Sequence, residues 1–215
     1  MRQDRKMPFT EKVGSLIYRG NRTVGFVLRN GRAPGGGAVF VGDSITAMCD
    51  LAKFYPGLHA VNRGISGDTT KGLLFRLRPT VIRLEPKLIV LLIGTNDFYY
   101  GRKSAEIADT YEKILDKIRT ALPSCKIFVQ SVCPAGNGSF GDLRPRNAEI
   151  KKLNTALIKL SDKYGCVYVD VFPVLAGDDG SLDPKLTKDG LHPNEKGYEA
   201  VSAVIRNALN AVESR

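Results

Sequence analysis

The order of segments in this sequence predicts a parallel β-sheet with helices on both faces, a three-layer α/β/α arrangement, and three observations carry that prediction. From Ala38 onward, short apolar runs alternate with longer segments of helical period through to the C-terminus, the pattern of a sheet whose strands are joined by helices. Each run is rich in β-branched or aliphatic residues, as strands buried on both faces are. Polar, glycine-bearing segments follow the first three runs directly, where an open α/β sheet places its ligands.

Five strands are predicted, over residues 38–41, 58–62, 88–93, 126–132 and 166–171, and five helices, near 45–54, 70–83, 104–121, 146–164 and 195–211. The third helix carries Ile107, Tyr111, Ile114, Leu115 and Ile118 as an apolar stripe at helical spacing, and Pro123 supplies its stop. Its start is weaker, because Ser104 is followed three residues later by Ile107 and makes only half a capping box. Ahead of the first strand, residues 1–35 form a basic N-terminal extension with eight Lys or Arg against two Asp or Glu. The alternation of Leu16, Tyr18, Val24, Phe26 and Leu28 around Gly20-Asn21-Arg22 predicts a small hairpin there. Gly35-Gly36-Gly37 then marks the start of the compact domain, 36–215.

Composition excludes several classes. With 215 residues, 43% hydrophobic and 25% charged, the chain is long enough for one ordinary core and is neither disordered nor a disulfide-stapled miniprotein. The longest apolar stretch, 88–93, is far shorter than a membrane helix, and the N-terminus is too charged for a signal peptide, so a cytoplasmic location is expected. Cys49, Cys125, Cys133 and Cys166 form no C-x-x-C pair and read as small buried hydrophobes. The net charge of +10 raises nucleic acid as a partner. The extension lacks the dense basic cluster and aromatic interleaving of such proteins, so none is expected. It reads as a solvated segment partly laid over the domain, with tethering to an anionic surface as the alternative.

The chemistry lies in the loops. A serine becomes a nucleophile when a base takes its proton, and the base works best when a carboxylate orients it. Ser44 follows the first strand, and Asp189 and His192 stand three apart, so one short turn presents both side chains together. Alone, Ser44 would read as a helix N-cap and His192 as a helix-entry residue beside Pro193. The other histidine, His59, lacks such partners, and jointly the catalytic reading prevails. Donors for an oxyanion are available in the Ser44 N–H, a glycine N–H of the second loop and the Asn96 amide, although Asn96 alone is an ordinary turn residue. Thr46 occupies the place of the second glycine of G-x-S-x-G, so the α/β-hydrolase elbow is absent. No phosphate-loop spacing and no G-x-G-x-x-G appear.

Gly42-Asp43-Ser44, Asn62-Arg63-Gly64-Ile65-Ser66-Gly67-Asp68, Gly94-Thr95-Asn96-Asp97 and Asp189-Gly190-Leu191-His192-Pro193 resemble the four blocks of the SGNH (GDSL) hydrolases, over about residues 38–212. Within that superfamily, Gly67-Asp68-Thr69-Thr70 and the segment 62–77 are most similar to platelet-activating-factor acetylhydrolase catalytic subunits and their bacterial relatives. The resemblance implies a flavodoxin-like fold, Ser44 as nucleophile, His192 as base, Asp189 as its partner and Asn96 as an oxyanion donor. It implies Gly67 as the glycine donor, with Gly64 the second choice, and no metal or organic cofactor. A related family forms dimers, so a homodimer is carried as an expectation.

The substrate follows less directly. Ile45, Thr95 and Leu191, each beside a reacting residue, are expected to crowd the acyl side and favour a short acyl group such as acetyl. Phe98, Tyr99 and Tyr100 are placed on the leaving-group side or in packing. Arg63, Arg144 and Arg146 either attract an anionic leaving group or stay solvated. The expectation is a serine esterase acting on short acyl esters of a small molecule, carbohydrate or lipid. The rivals are a lysophospholipase or thioesterase with a longer acyl channel, and a binding protein on the same scaffold.

Overall fold

The computed structural model describes residues 9–30 and 35–213, with side chains over 14–30 and 35–212. Parts of the basic extension, 1–8 and 31–34, lie outside the described residues. Strands β1 (Ala38–Gly42), β2 (Val61–Gly64), β3 (Leu88–Leu92), β4 (Lys126–Gln130) and β7 (Val167–Val169) form one five-stranded sheet in the order β2-β1-β3-β4-β7. All four pairings are parallel. A two-stranded antiparallel hairpin, β5 (Asn137–Gly138) and β6 (Gly141–Asp142), stands apart. In strand succession this is the flavodoxin-like order, with the reversal of direction at β1 and β3 where such folds place their sites.

The helices are α1 (Phe9–Arg29), α2 (Ser44–Ala47), α3 (Leu51–Phe54), α4 (Thr70–Thr80), α5 (Thr95–Tyr99), α6 (Ser104–Ala121), α7 (Asn147–Lys163), α8 (Phe172–Leu175) and α9 (Glu195–Glu213). The sheet divides the core in two. Val39, Val41, Ile89 and Leu91 face one side with Leu73 and Leu77 of α4, the α6 stripe and Leu153 of α7. Phe40, Val90 and Leu92 face the other with Phe54 of α3 and Val201 and Ile205 of α9. Alternate residues of one strand thus enter different layers, which is why the strands read as continuous apolar runs.

Several predicted boundaries are corrected. The hairpin predicted around Gly20 is a helix, α1. Its glycines Gly14 and Gly20 face open space, where helix costs only the usual penalty of about 1 kcal/mol each. The second strand begins at Val61 and not at residue 58, because His59 takes a left-handed turn (φ 48°) just before it. The predicted helix 45–54 is two short helices, since Asp50 accepts from the Lys53 N–H at 3.1 Å and starts α3 afresh. The helix predicted over 70–83 ends at Thr80 and continues as a 3₁₀ turn, Ile82–Leu84.

Helix α1 lies along α4. Phe26 is buried with the guanidinium groups of Arg22 and Arg63 at 5.0 and 4.8 Å from its ring centre. Arg19 donates to the Gly67 carbonyl at 2.7 Å and Asn30 to the Pro79 carbonyl at 2.8 Å. Arg63, expected near a leaving group, instead donates to Asn30 at 2.9 Å and is buried under this helix.

Candidate active site

The sheet's carboxyl edge brings Ser44, His192 and Asp189 together from chain positions far apart. β1 ends at Gly42, where a Cβ would sit 2.0 Å from the Leu92 carbonyl oxygen, so only glycine fits against β3. Asp43 then caps α2 by accepting the Ile45 N–H at 3.0 Å, and Ser44 opens that helix. The Ser44 Oγ lies 2.9 Å from His192 Nε2, and His192 Nδ1 lies 2.7 Å from Asp189 Oδ2. Ser44 and His192 are both buried.

The turn that holds His192 is over-determined. Asp189 Oδ1 accepts the backbone N–H groups of Leu191 and His192 at 3.0 and 2.8 Å, leaving Oδ2 to the ring. Burial pushes the Asp189 carboxyl up, but these backbone hydrogen bonds and the His192 ring outweigh it and hold it below its ordinary value. Thr187 donates its hydroxyl to the His192 carbonyl at 2.8 Å and accepts the Gly190 N–H at 3.0 Å. The β5–β6 hairpin buttresses the loop from outside: Ser139 N–H donates to the Asp189 carbonyl at 2.9 Å, and Gly136 N–H to the Gly190 carbonyl at 2.8 Å. Phe140 at its tip presents its ring to the His192 ring at 5.7 Å and 68°.

Two of the expected oxyanion donors occupy one neighbourhood. Gly67 (φ 75°) and Asn96 both line a cavity of about 190 Å³. Asn96 Nδ2 donates one hydrogen to the Asp68 carbonyl at 3.0 Å, which orients the amide and leaves its second N–H. Gly64, the second choice, is a packing glycine, because a Cβ there would meet the Ala47 backbone nitrogen at 2.3 Å.

Thr95 and Leu191 also line the cavity. Ile45 does not: its side chain belongs to the core layer with Phe54 and Tyr198, so its expected place in an acyl pocket is corrected. The chain turns into α2 at Ser44, and the next side chain points under the helix. Phe98, Tyr99 and Tyr100 reach the cavity, as does Arg146, stacked 5.3 Å from the Tyr99 ring centre. Arg144 is held on the surface by Asp142 at 2.8 Å. Phe140, Leu143 and Ile150, together with Ser15 of α1, complete the wall and escaped the sequence reading. Their only sequence signal, apolar residues within a polar loop, does not distinguish a wall from ordinary packing.

Beneath the site lies a buried polar frame. Asp68 pairs with Arg76 of α4 at 2.7 Å, and Arg76 also donates to the Gly42 carbonyl at 3.1 Å. Asp97 accepts the Thr70 N–H and hydroxyl at 2.8 and 2.7 Å and pairs with Arg102. Asp43 is wholly buried. Desolvation pushes its carboxyl up to about 7; the Ile45 N–H opposes this, while the charges of Asp68 and Asp97 add to it.

Residues 40–200 match the GDSL-like lipase/acylhydrolase family. A curated relative, platelet-activating factor acetylhydrolase IB subunit alpha2 of Rattus norvegicus, is 31% identical over 169 residues, covering 76% of this chain and 71% of its own. A solved Streptococcus pneumonia structure described under the name platelet activating factor superposes with TM-score 0.87 at 27% identity, over 93% of this chain and 96% of that one. A GDSL-like lipase from Bacteroides thetaiotaomicron superposes with TM-score 0.79 at 25% identity, over 88% and 98% of the two chains. The matched span contains the serine, aspartate and histidine whose side chains meet at the sheet edge, and the chain belongs to the GDSL-like lipase/acylhydrolase family of carboxylic ester hydrolases.

Proposed function

We propose that the protein hydrolyses short-chain esters, with acetyl esters of a small molecule, carbohydrate or lipid as the preferred class, through a covalent acyl-enzyme on Ser44. The observation that carries this reading is the continuous line from Ser44 Oγ to His192 to Asp189, at 2.9 and 2.7 Å. Ser44 Oγ adds to the ester carbonyl carbon as its proton passes to His192 Nε2. The tetrahedral intermediate collapses, the bond to the leaving alcohol breaks, and His192 returns the proton to that oxygen. Water then loses a proton to His192 and attacks the acyl carbon; Ser44 Oγ leaves, takes that proton back, and the carboxylic acid departs and ionises in solution. Asp189 keeps the ring oriented and stabilises its cationic form. The N–H groups of Ser44 and Gly67 and the second N–H of Asn96 serve the developing oxyanion.

The short-acyl preference rests on the cavity beside Gly67 and Asn96. Its 190 Å³ lies below the roughly 300–1,000 Å³ of sites that hold larger ligands, which suits a small ester. The acetylhydrolase relative supports the same acyl class. The test is hydrolysis of p-nitrophenyl esters from acetyl to octanoyl by wild type and Ser44→Ala. The expected result is acetate turnover that falls with chain length and disappears in Ser44→Ala. A preference for long chains would move the assignment to a lysophospholipase or thioesterase. Ester turnover that survives Ser44→Ala would end the acyl-enzyme reading.

A further inference from the structure

We propose that the outer face of α1, with the adjoining face of α4, docks on an anionic lipid surface. Helix α1 is mounted the unusual way round. A surface helix ordinarily buries its apolar stripe and shows water its polar side. Here the polar side faces the body, through Arg19 on the Gly67 carbonyl and Asn30 on the Pro79 carbonyl, with Phe26 the one buried ring among the described side chains of α1. The apolar side faces water: Leu16 is 66% exposed, Ile17 58%, Val24 56% and Leu28 77%. At about 100° per residue these four fall within a sector of about 120°. Phe75, on α4, is 89% exposed. Large apolar side chains gathered on one exposed face mark an interaction surface.

Charge chooses the occupant. The sequence has no Asp or Glu between Glu11 and Asp43, and none from residue 69 to residue 84. Arg29, Lys71, Arg78 and Arg83 of these segments are exposed. The two segments therefore form an apolar strip with cationic margins, and neither contains a carboxylate. A second copy laid across it by two-fold symmetry would set cations against cations, with no acid in either segment to pair them. An anionic bilayer meets both features: apolar side chains enter the boundary below the headgroups, and the margins meet lipid phosphate. The same helix contributes Ser15 to the cavity wall, so a docked face lies beside the site and brings surface-borne esters to it.

The test is flotation of the full chain with vesicles of phosphatidylcholine alone and of phosphatidylcholine with about one-third phosphatidylglycerol. The expected result is binding to the anionic vesicles that weakens at least about tenfold on neutral vesicles or in about 0.5 M salt. Ile17→Glu with Leu28→Glu is expected to weaken binding at least about tenfold while turnover of a soluble p-nitrophenyl ester is unchanged. Ile17→Gln with Leu28→Gln, which adds no charge, is expected to do the same. Equal affinity for both vesicle types, affinity for neither, or full binding by these variants would overturn the proposal. So would a dimer, seen by light scattering, that the same variants convert to monomer, because that would assign the face to a second copy.

Discussion

Asp189 at the rim of the site and Asp43, Asp68 and Asp97 beneath it are the same residue type in opposite settings. Asp189 accepts two backbone N–H groups and the His192 ring, and its carboxyl is held below the ordinary range. Asp43 accepts one backbone N–H in full burial, and its carboxyl is pushed up to about 7 by desolvation. Asp68 and Asp97 are each committed to an arginine. In the proposed mechanism the rim carboxylate supports a charge that develops on its neighbour during reaction. The lower three hold strands and helices in register. Position within a motif block therefore does not reveal the role; the depth and the identity of the partner side chain do.

The largest expected effect breaks the rim alone. Asp189→Asn should lower kcat on p-nitrophenyl acetate by about 10⁴-fold, as loss of the orienting carboxylate does in serine hydrolase triads, with little change in thermal midpoint. A loss below tenfold would show that the histidine turn, held by Thr187 and the β5–β6 hairpin, orients the ring unaided.

Next in size is the frame. Asp68→Ala leaves the Arg76 guanidinium buried without its partner, and removing one member of a buried pair costs about 3–5 kcal/mol. Urea unfolding measures this directly. A change under about 1 kcal/mol would mean that water reaches Arg76 once the carboxylate is gone, and the division between rim and frame would fail at this residue.

Asp43 tests the same division through pH. Its carboxyl titrates at about 7 when folded against an ordinary 3.8, so the folded state holds a proton that the unfolded chain has released. Its contribution is greatest below about pH 4, declines as pH rises to about 7, and is flat beyond, with a span of up to about 4 kcal/mol. Asp189 has the opposite sign: its contribution is present above the ordinary carboxylate range and lost as pH falls through its lowered pKa. Asp43→Asn keeps an acceptor for the Ile45 N–H and removes the charge. Chemical denaturation from pH 4 to 8 should then show a shallower decline than wild type, and parallel curves would exclude Asp43 as the source.

Much of this arrangement is legible in the sequence because strands and site loops are coupled. An apolar run such as 88–92 has one stable use, between two helical layers, and the polar residues after it must lie at the sheet's carboxyl edge. Ser44 and Asn96 are readable for that reason, and Asp189 and His192 through their spacing of three and the scarcity of histidines. Arg76 and Arg102 are not, since nothing in a helical or loop cation says which buried acid it will meet. Residues 16–28 read as a hairpin because Leu16, Tyr18, Val24, Phe26 and Leu28 also alternate, and Gly20-Asn21 resembles a turn. The period that distinguishes them, Leu16-Gly20-Val24-Leu28, points to solvent and not to a core, so burial logic gives no help.

The smallest expected effect returns to the rim, at Phe140. Its ring stands edge-on to His192 and is 47% exposed, so it shields the imidazole without anchoring the fold. An aromatic contact of this kind is worth about 0.5–1.5 kcal/mol, which corresponds to roughly a two- to tenfold change in kcat/KM. Phe140→Ala should therefore slow ester turnover by that factor and shift stability by less than about 0.5 kcal/mol, as exposed substitutions do. A loss of stability comparable to that of Asp68→Ala would place the β5–β6 hairpin in the frame. A hundredfold loss of turnover at unchanged stability would instead show that the ring fixes the histidine, and that the rim extends one residue shell beyond Asp189.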